Sequence, residues 1–334
     1  MLLGLIEHDR GTLNEASLEM LTFARGLASE LNTSLEAILI GEDARVLAEG
    51  LKVYGVSTVH LARHDRLDDY APEAWANSIV QLIEVANPQA VMAAGTDRGN
   101  EVLAHVAART DLPMAANCTE VQLDDPYRVT RLRWGGSLLE EAVLKGDPKL
   151  LTVAPHAVPA EEAPAEGKLA VEAFIPSLKD KDFRVRITDR VESVEEGISL
   201  RDSRVVIGGG RGVGGPEGFE LLEALADLLG GAVGGSRVAT NNGWRPHSDQ
   251  IGQTGVQIAP DLYIACGISG AIQHMVGCKG AKRILVINKD REAPFFSRAD
   301  YAVVGDLHEV VPALIEEIKK EKERVNRPEI QASV

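Results

Sequence analysis

The sequence predicts a two-domain α/β protein in which each domain is a mostly parallel sheet with flanking helices. Residues 1 to about 110 alternate strand-like apolar runs with helix-like periodic stretches, as βαβα units do. The alternation restarts at Arg204, and the apolar runs 262–266, 284–287 and 301–304 each stop abruptly at small or polar residues. The length, 334 residues, is enough for two separate cores.

In the first domain the apolar runs sit at residues 2–6, 35–40, 58–61 and 90–94. Leu21, Ala24, Ala28 and Leu31 recur at helical spacing between the first two, and residues 75–85 carry Ile79, Leu82 and Ile83 on one face. Helix-length crossovers between strands imply parallel pairing. From Asn117 to about Arg186 the alternation at 129–134 and 171–175 marks a β-rich end to this domain. Residues 155–168, rich in Pro, Ala and Glu, read as a mobile excursion. The charged stretch 189–202 has no clear strand, which divides the chain into domains 1–195 and 196–320 with a flexible tail, 321–334.

The second domain opens with residues 204–207, which end in Gly208-Gly209-Gly210-Arg211-Gly212. A helix follows with Pro216 in its first turn, the stripe Leu222, Leu225, Ala226, Leu229, and a Gly230-Gly231 stop. A last helix presents Leu307, Val311, Leu314, Ile315 and Ile318.

A formal charge of −15 argues against nucleic acid and anionic membrane as partners, since both reward a basic face. No stretch approaches the roughly 20 apolar residues a bilayer span needs. The N-terminus turns polar after Ile6 and reads as a first strand, not a signal peptide. Three scattered cysteines give no disulfide framework and point to a reducing interior, the cytoplasm.

Strands that stop at small polar residues open a ligand crevice at their carboxyl ends. Gly267-Ile268-Ser269-Gly270 joins a strand to a helix starting near Ala271; it is either a pyrophosphate corner or an ordinary tight turn. Arg211 among glycines suits a phosphate or a flat ring, or is a solvated surface arginine. Ser236-Arg237 and Gln253-Thr254-Gly255 are further glycine-flanked corners. His274 is a titratable donor or a helix-surface histidine, and Asp306 accepts from a ribose or adenine or caps the next helix. Neither a Walker sequence nor a proper dinucleotide fingerprint occurs. No paired carboxylates, nucleophile elbow or metal cluster stands out, so the ligand is expected to bring the chemistry.

The motifs GGGRG, GGSR, QIGQTG, GISGAIQH, VINKD, EAPFF and ADYAVVGDL have the order and spacing of electron-transfer flavoprotein alpha subunits, the FixB type included. The chain resembles that family closely over residues 204–318, and in layout before them. The resemblance implies a Rossmann-like second domain holding a non-covalent FAD, and a heterodimer with a beta subunit that the first domain contacts. It also implies an electron carrier rather than a stand-alone enzyme. By motif it places Arg211 against the isoalloxazine, with Ser236, Arg237, Ile251, Gly252, Gln253, Thr254 and Gly255 along the flavin and ribityl side. Gly267, Ser269, Gly270, Ala271, Ile272, Gln273 and His274 would cradle the pyrophosphate and ribityl, His274 reaching the pyrimidine edge. Asn288, Asp306 and the backbone at Leu307 would hold the adenosine half. Positive charge from Arg211 and His274 would raise the flavin's potential.

The same resemblance implies electrons arriving from an acyl-CoA or other dehydrogenase and leaving to a quinone oxidoreductase or other acceptor. A second FAD in the beta subunit would instead make the pair an electron-bifurcating complex using NADH. A nucleotide-binding regulatory protein, working through its first domain, is the alternative from another class. The chain departs from the family at Ala239-Thr240-Asn241-Asn242-Gly243, where an aspartate-containing stretch is common, and at Val256, where a lysine is common.

Overall fold

The structure, a computed structural model, describes residues 1–164, 167–189, 199–201 and 203–325. The expected boundary at residue 195 and the tail beyond residue 325 lie outside those residues. The chain divides into two compact units, Met1–Val191 and Glu192–Val334.

The first unit runs β1 (Leu2–Leu5), a short hairpin of β2 (His8–Asp9) and β3 (Thr12–Leu13), α1 (Ala16–Glu30), β4 (Leu35–Ile40), β5 (Thr58–Ala62), α2 (Pro72–Ala86), β6 (Ala90–Ala94) and α3 (Asp97–Thr110). It continues through β7 (Met114–Gln122), β8 (Tyr127–Arg133), β9 (Leu138–Leu144), β10 (Lys149–Val153) and β11 (Ala170–Phe174). The sheet order is β11-β5-β4-β1-β6-β10-β7-β8-β9, parallel from β11 to β7 and antiparallel across β7, β8 and β9. Strands β1, β6 and β10 are buried along their whole length, which is why β1 and β6 read as continuous apolar runs. Between β4 and β5 the chain makes 3-10 turns over Glu42–Tyr54 instead of an α-helix.

Residues 155–164 are not the mobile excursion their composition suggested. The Glu161 backbone N–H donates to Thr22 Oγ1 at 2.9 Å, Arg25 donates to the Glu161 carbonyl at 2.8 Å, and Ala163 N–H donates to the Val53 carbonyl at 2.6 Å. This strap is held to α1 by backbone groups, which composition does not reveal.

The second unit runs β12 (Val205–Gly209), α4 (Glu217–Leu229), β13 (Ala232–Gly235), α5 (Arg237–Asn241), β14 (Leu262–Cys266), α6 (Ile272–Gly277), β15 (Ile284–Asn288), β16 (Tyr301–Val304) and α7 (Leu307–Val325). Helix α7 therefore takes in residues 321–325, expected as tail. The strand order is β13-β12-β14-β15-β16 with every neighbour parallel. Successive residues face opposite sides. Ile207, Ile264 and Ile287 pack with Phe219, Leu222, Leu225 and Val311, while Val206, Tyr263 and Val286 pack with Ile251, Ile258 and Phe295.

Gly208 lies where the Tyr263 ring crosses β12, and a Cβ there would overlap the tyrosine hydroxyl. Gly208→Ala is therefore expected to lower unfolding stability by about 1–3 kcal/mol through overpacking. A urea titration should show a lower midpoint at an unchanged slope.

Candidate functional site

All five strands of the second sheet point the same way, so their carboxyl ends share one edge. Strand β13 lies on one side of β12, and β14 to β16 lie on the other. The loops leaving β12 and β14 therefore diverge, the switch point at which such sheets open a crevice. A cavity of about 580 Å³ occupies it, within the roughly 300–1,000 Å³ of small-ligand sites.

The cavity's narrow floor is glycine backbone. Gly212 N–H donates to the Gly267 carbonyl at 3.0 Å, and Gly210 N–H to the Cys266 carbonyl at 2.9 Å. Gly267 has φ +62°, and a Cβ on it would come within 2.6 Å of the Gly212 Cα and 2.9 Å of Leu307 Cδ2. Only glycine fits that approach.

Polar side chains from each strand end line the walls. Arg211, after β12, is exposed and forms no ion pair with any described residue. Ser236 caps α5, its hydroxyl accepting from the Ala239 N–H at 3.4 Å. Arg237 donates to Thr254 Oγ1 at 2.5 Å, Gln250 donates to the same oxygen at 3.1 Å, and Thr240 holds Gln250 Oε1 at 3.0 Å. Asn288 is buried, donating to the Ile268 carbonyl and accepting from the Asp290 N–H, each at 3.0 Å. Asp306 accepts from the His308 N–H at 2.9 Å, so it is a cap of α7 as well as a lining residue.

His274 differs from what the sequence suggested. Its side chain is buried, Nε2 is 2.8 Å from the Tyr263 hydroxyl, and Nδ1 is enclosed with no partner in hydrogen-bond geometry. Burial pushes its pKa down to about 4, with the Ile251 backbone offsetting part of the shift. The imidazole is thus neutral at pH 7 and supplies no positive charge. Cys266 and Cys278 are buried thiols pushed up to about 12 by desolvation, inert packing groups.

Of the residues singled out from sequence, Arg211, Ser236, Arg237, Ile251, Gly252, Gln253, Thr254, Gly267, Ser269, Ala271, Gln273, His274, Asn288, Asp306 and Leu307 line the cavity. Gly255, Gly270 and Ile272 do not. Gly255 closes a tight turn, its N–H donating to the Gly252 carbonyl at 3.0 Å. Gly270, at φ +85°, lets the backbone pass Phe295, and Ile272 is 67% exposed. Helix α6 has only six residues, so its macrodipole contributes little. Sequence reasoning missed Gly212, Val238, Gln250, Lys289 and Asp290, which also line the cavity. Lys289 and Asp290 could have been found, because they directly follow the strand that ends at Asn288.

Residues 2–178 match the electron transfer flavoprotein domain, and residues 199–279 match the electron transfer flavoprotein FAD-binding domain. The electron transfer flavoprotein subunit alpha of Thermoanaerobacterium thermosaccharolyticum is 36% identical over 95% of this chain and 97% of its own. The chain belongs to the electron-transfer flavoprotein alpha-subunit family. The subunit alpha of Mycobacterium leprae is 38% identical over 95% of this chain and 98% of its own, and Protein FixB of Clostridium saccharobutylicum 35% over 94% and 95%.

The family's cofactor is FAD, and the residues here fit it. Gly212 and Gly267 line the cavity without a Cβ, Arg211 stands exposed on it, and Nδ1 of His274 is a buried polar atom with no partner in hydrogen-bond geometry among the described residues. Among the described residues no cluster of three or more metal-ligating side chains occurs, and no helix is long and apolar enough to cross a membrane. Gly267→Ala is expected to abolish FAD retention, because its Cβ would press Gly212 upward into the cavity floor. Flavin absorbance of the purified protein checks this; a full yellow complement would show that the floor can yield.

Proposed function

We propose that the chain holds one FAD in this cavity, pairs with a beta subunit, and relays electrons from an acyl-CoA or other dehydrogenase to a quinone oxidoreductase or other acceptor. The observation that carries this is the convergence of five parallel strand ends on a single glycine-floored cavity inside the stretch matching the FAD-binding domain. Bound FAD would supply reversible one- and two-electron transfer. The polypeptide's part is to bind, orient and tune.

Arg211 is an exposed cation on the cavity wall, and Arg237 a second cation held in place by Thr254. Both favour added negative charge on a ligand. His274 contributes a neutral ring instead. Asn288, Lys289, Asp290 and Asp306 stand at the ends of β15 and β16, the edge assigned to the adenosine half. The buried Asn288, braced on both sides, presents fixed backbone rather than an adaptable side chain.

The competing nucleotide-sensor reading needs an open crevice in the first unit. There the residues that follow β1 and Ile6 are Glu7 and His8, both buried and hydrogen-bonded within the chain. Glu7 accepts from Asn14 at 2.8 Å and from the Thr96 hydroxyl, and His8 Nε2 is 2.7 Å from the Ile40 carbonyl.

Co-expression with a beta subunit should give a yellow heterodimer with one extractable FAD. Two would favour bifurcation, and a colourless folded complex would overturn the proposal. Arg211→Ala should lower the flavin potential by ~20–50 mV, the value of one partly screened charge. Potentiometric titration reads it, and an unchanged potential removes Arg211 from tuning.

A further inference from the structure

We propose that Gln250 is a positioning residue: its buried side-chain amide bridges Thr240 and Thr254 and so holds the Arg237 guanidinium at the cavity wall. That the cavity's ligand is FAD rests on the proposal above, whereas the bridge is a property of the polypeptide.

Gln250 follows the short turn at His247–Asp249, lines the cavity and is 7% exposed. On one side its Oε1 accepts from the hydroxyl of Thr240 at 3.0 Å, a threonine of α5 that is itself buried. On the other side its Nε2 donates to Thr254 Oγ1 at 3.1 Å. The same oxygen accepts from Arg237 at 2.5 Å. Arg237 is exposed, and the Thr254 hydroxyl is its hydrogen-bond partner among the described residues. The contacts thus run from a buried base, Thr240 and Gln250, to an exposed head, Thr254 and Arg237.

This arrangement serves Arg237 more than it serves the fold. The turn that carries Gln250 and Thr254 is closed by backbone bonds, from Val256 N–H to the Gln250 carbonyl at 2.6 Å and from Gly255 N–H to the Gly252 carbonyl at 3.0 Å. Thr240 does not need the amide either, since the Arg237 carbonyl, 3.2 Å away, is a second acceptor for its hydroxyl. Thr254 does need it. An exposed hydroxyl and a long arginine side chain otherwise exchange partners with water, and ordering them costs rotamer entropy. The amide fixes the hydroxyl, and the hydroxyl then fixes the guanidinium. Burying an amide is costly unless both of its ends are bonded, and here both are.

The bridge does not depend on which end of the amide is which. With Oε1 and Nε2 exchanged, Nε2 would donate to Thr240 and Oε1 would accept from the Thr254 hydroxyl. That hydroxyl oxygen would still have a lone pair for Arg237. A guanidinium kept at the wall favours the more negative form of the ligand, whereas one that swings into water is screened. Gln250 therefore tunes the cavity through Arg237, with no charge of its own.

The test uses the full chain with its beta subunit. In the FAD-free complex, ¹⁵N relaxation of arginine Nε–H groups reads side-chain order on the picosecond-to-nanosecond scale, the Arg237 signal being the one lost in Arg237→Lys. Gln250→Met, similar in length but without the amide, should lower the Arg237 order parameter. Thr240→Val, which removes the inner end of the bridge, should lower it as well. An Arg237 as ordered in both variants as in the wild type overturns the proposal. With FAD bound, Gln250→Met should lower the flavin's reduction potential, and that drop should vanish in a Thr254→Val background, where the bridge no longer reaches Arg237. No drop, or an equal drop in both backgrounds, also overturns it, the latter because Gln250 would then act on the ligand itself. A wild-type complex that takes up no FAD sinks the functional proposal alone, because the order parameters still decide the bridge.

Discussion

The second unit depends on one close passage of backbone against backbone. Where β12 and β14 give way to their loops, Gly212 and Gly267 approach so nearly that neither has space for a Cβ. The hydrogen bond from Gly212 N–H to the Gly267 carbonyl ties the loops together. Parallel strands force those loops apart in direction, and the glycines let them stay together in space. Between those two demands a crevice forms that is narrow at the floor and open above. Arg211, Ser236, Asn288 and Asp306 are placed by their strands' exits from this edge.

The electrostatics follow from that geometry. A chain of net charge −15 receives a cofactor that is itself anionic, and the global field opposes it. Local groups must prevail, which short range and partial exclusion of water allow. Arg211 and Arg237 serve, the latter immobilised through Thr254, Gln250 and Thr240. His274 is kept out of that role by burial. The ring stays neutral, which makes it insensitive to the protonation changes an exposed histidine would undergo near neutral pH.

The second unit was legible because its signals are local. A buried parallel strand is an apolar run, its end is a glycine or a polar residue, and the sheet's topology then brings all such ends to one edge. Arg211, Thr254 and Asp306 could be named on those grounds. What escaped was set by contacts distant in sequence. The Glu161 strap reads as a loose linker because its anchors are Thr22, Arg25 and the Val53 carbonyl. Strand β9, LLEEAVL, has helix-like composition and becomes a strand only beside β8. His274 was misjudged for the same reason. Its spacing on α6 says where it is, but its charge depends on burial by residues on other elements, Tyr263 and Phe295 among them.

The two units show how little separates a binding site from a filled one. Each sheet has parallel strands diverging from a central pair, β1 with β6 in the first and β12 with β14 in the second. In the first, the residues after β1 are Glu7 and His8. The Glu7 carboxylate collects the donors that an anionic ligand would otherwise take, those of Asn14 and Thr96, while His8 stacks on Trp75 at 5.4 Å. In the second, the residues after β12 are glycines and one arginine, which supply space and positive charge but no internal anion. A buried carboxylate follows the strand in the first unit, whereas glycines and an exposed arginine follow it in the second. The difference lies in two or three residues past the last strand position, where the fold itself is indifferent to what they are.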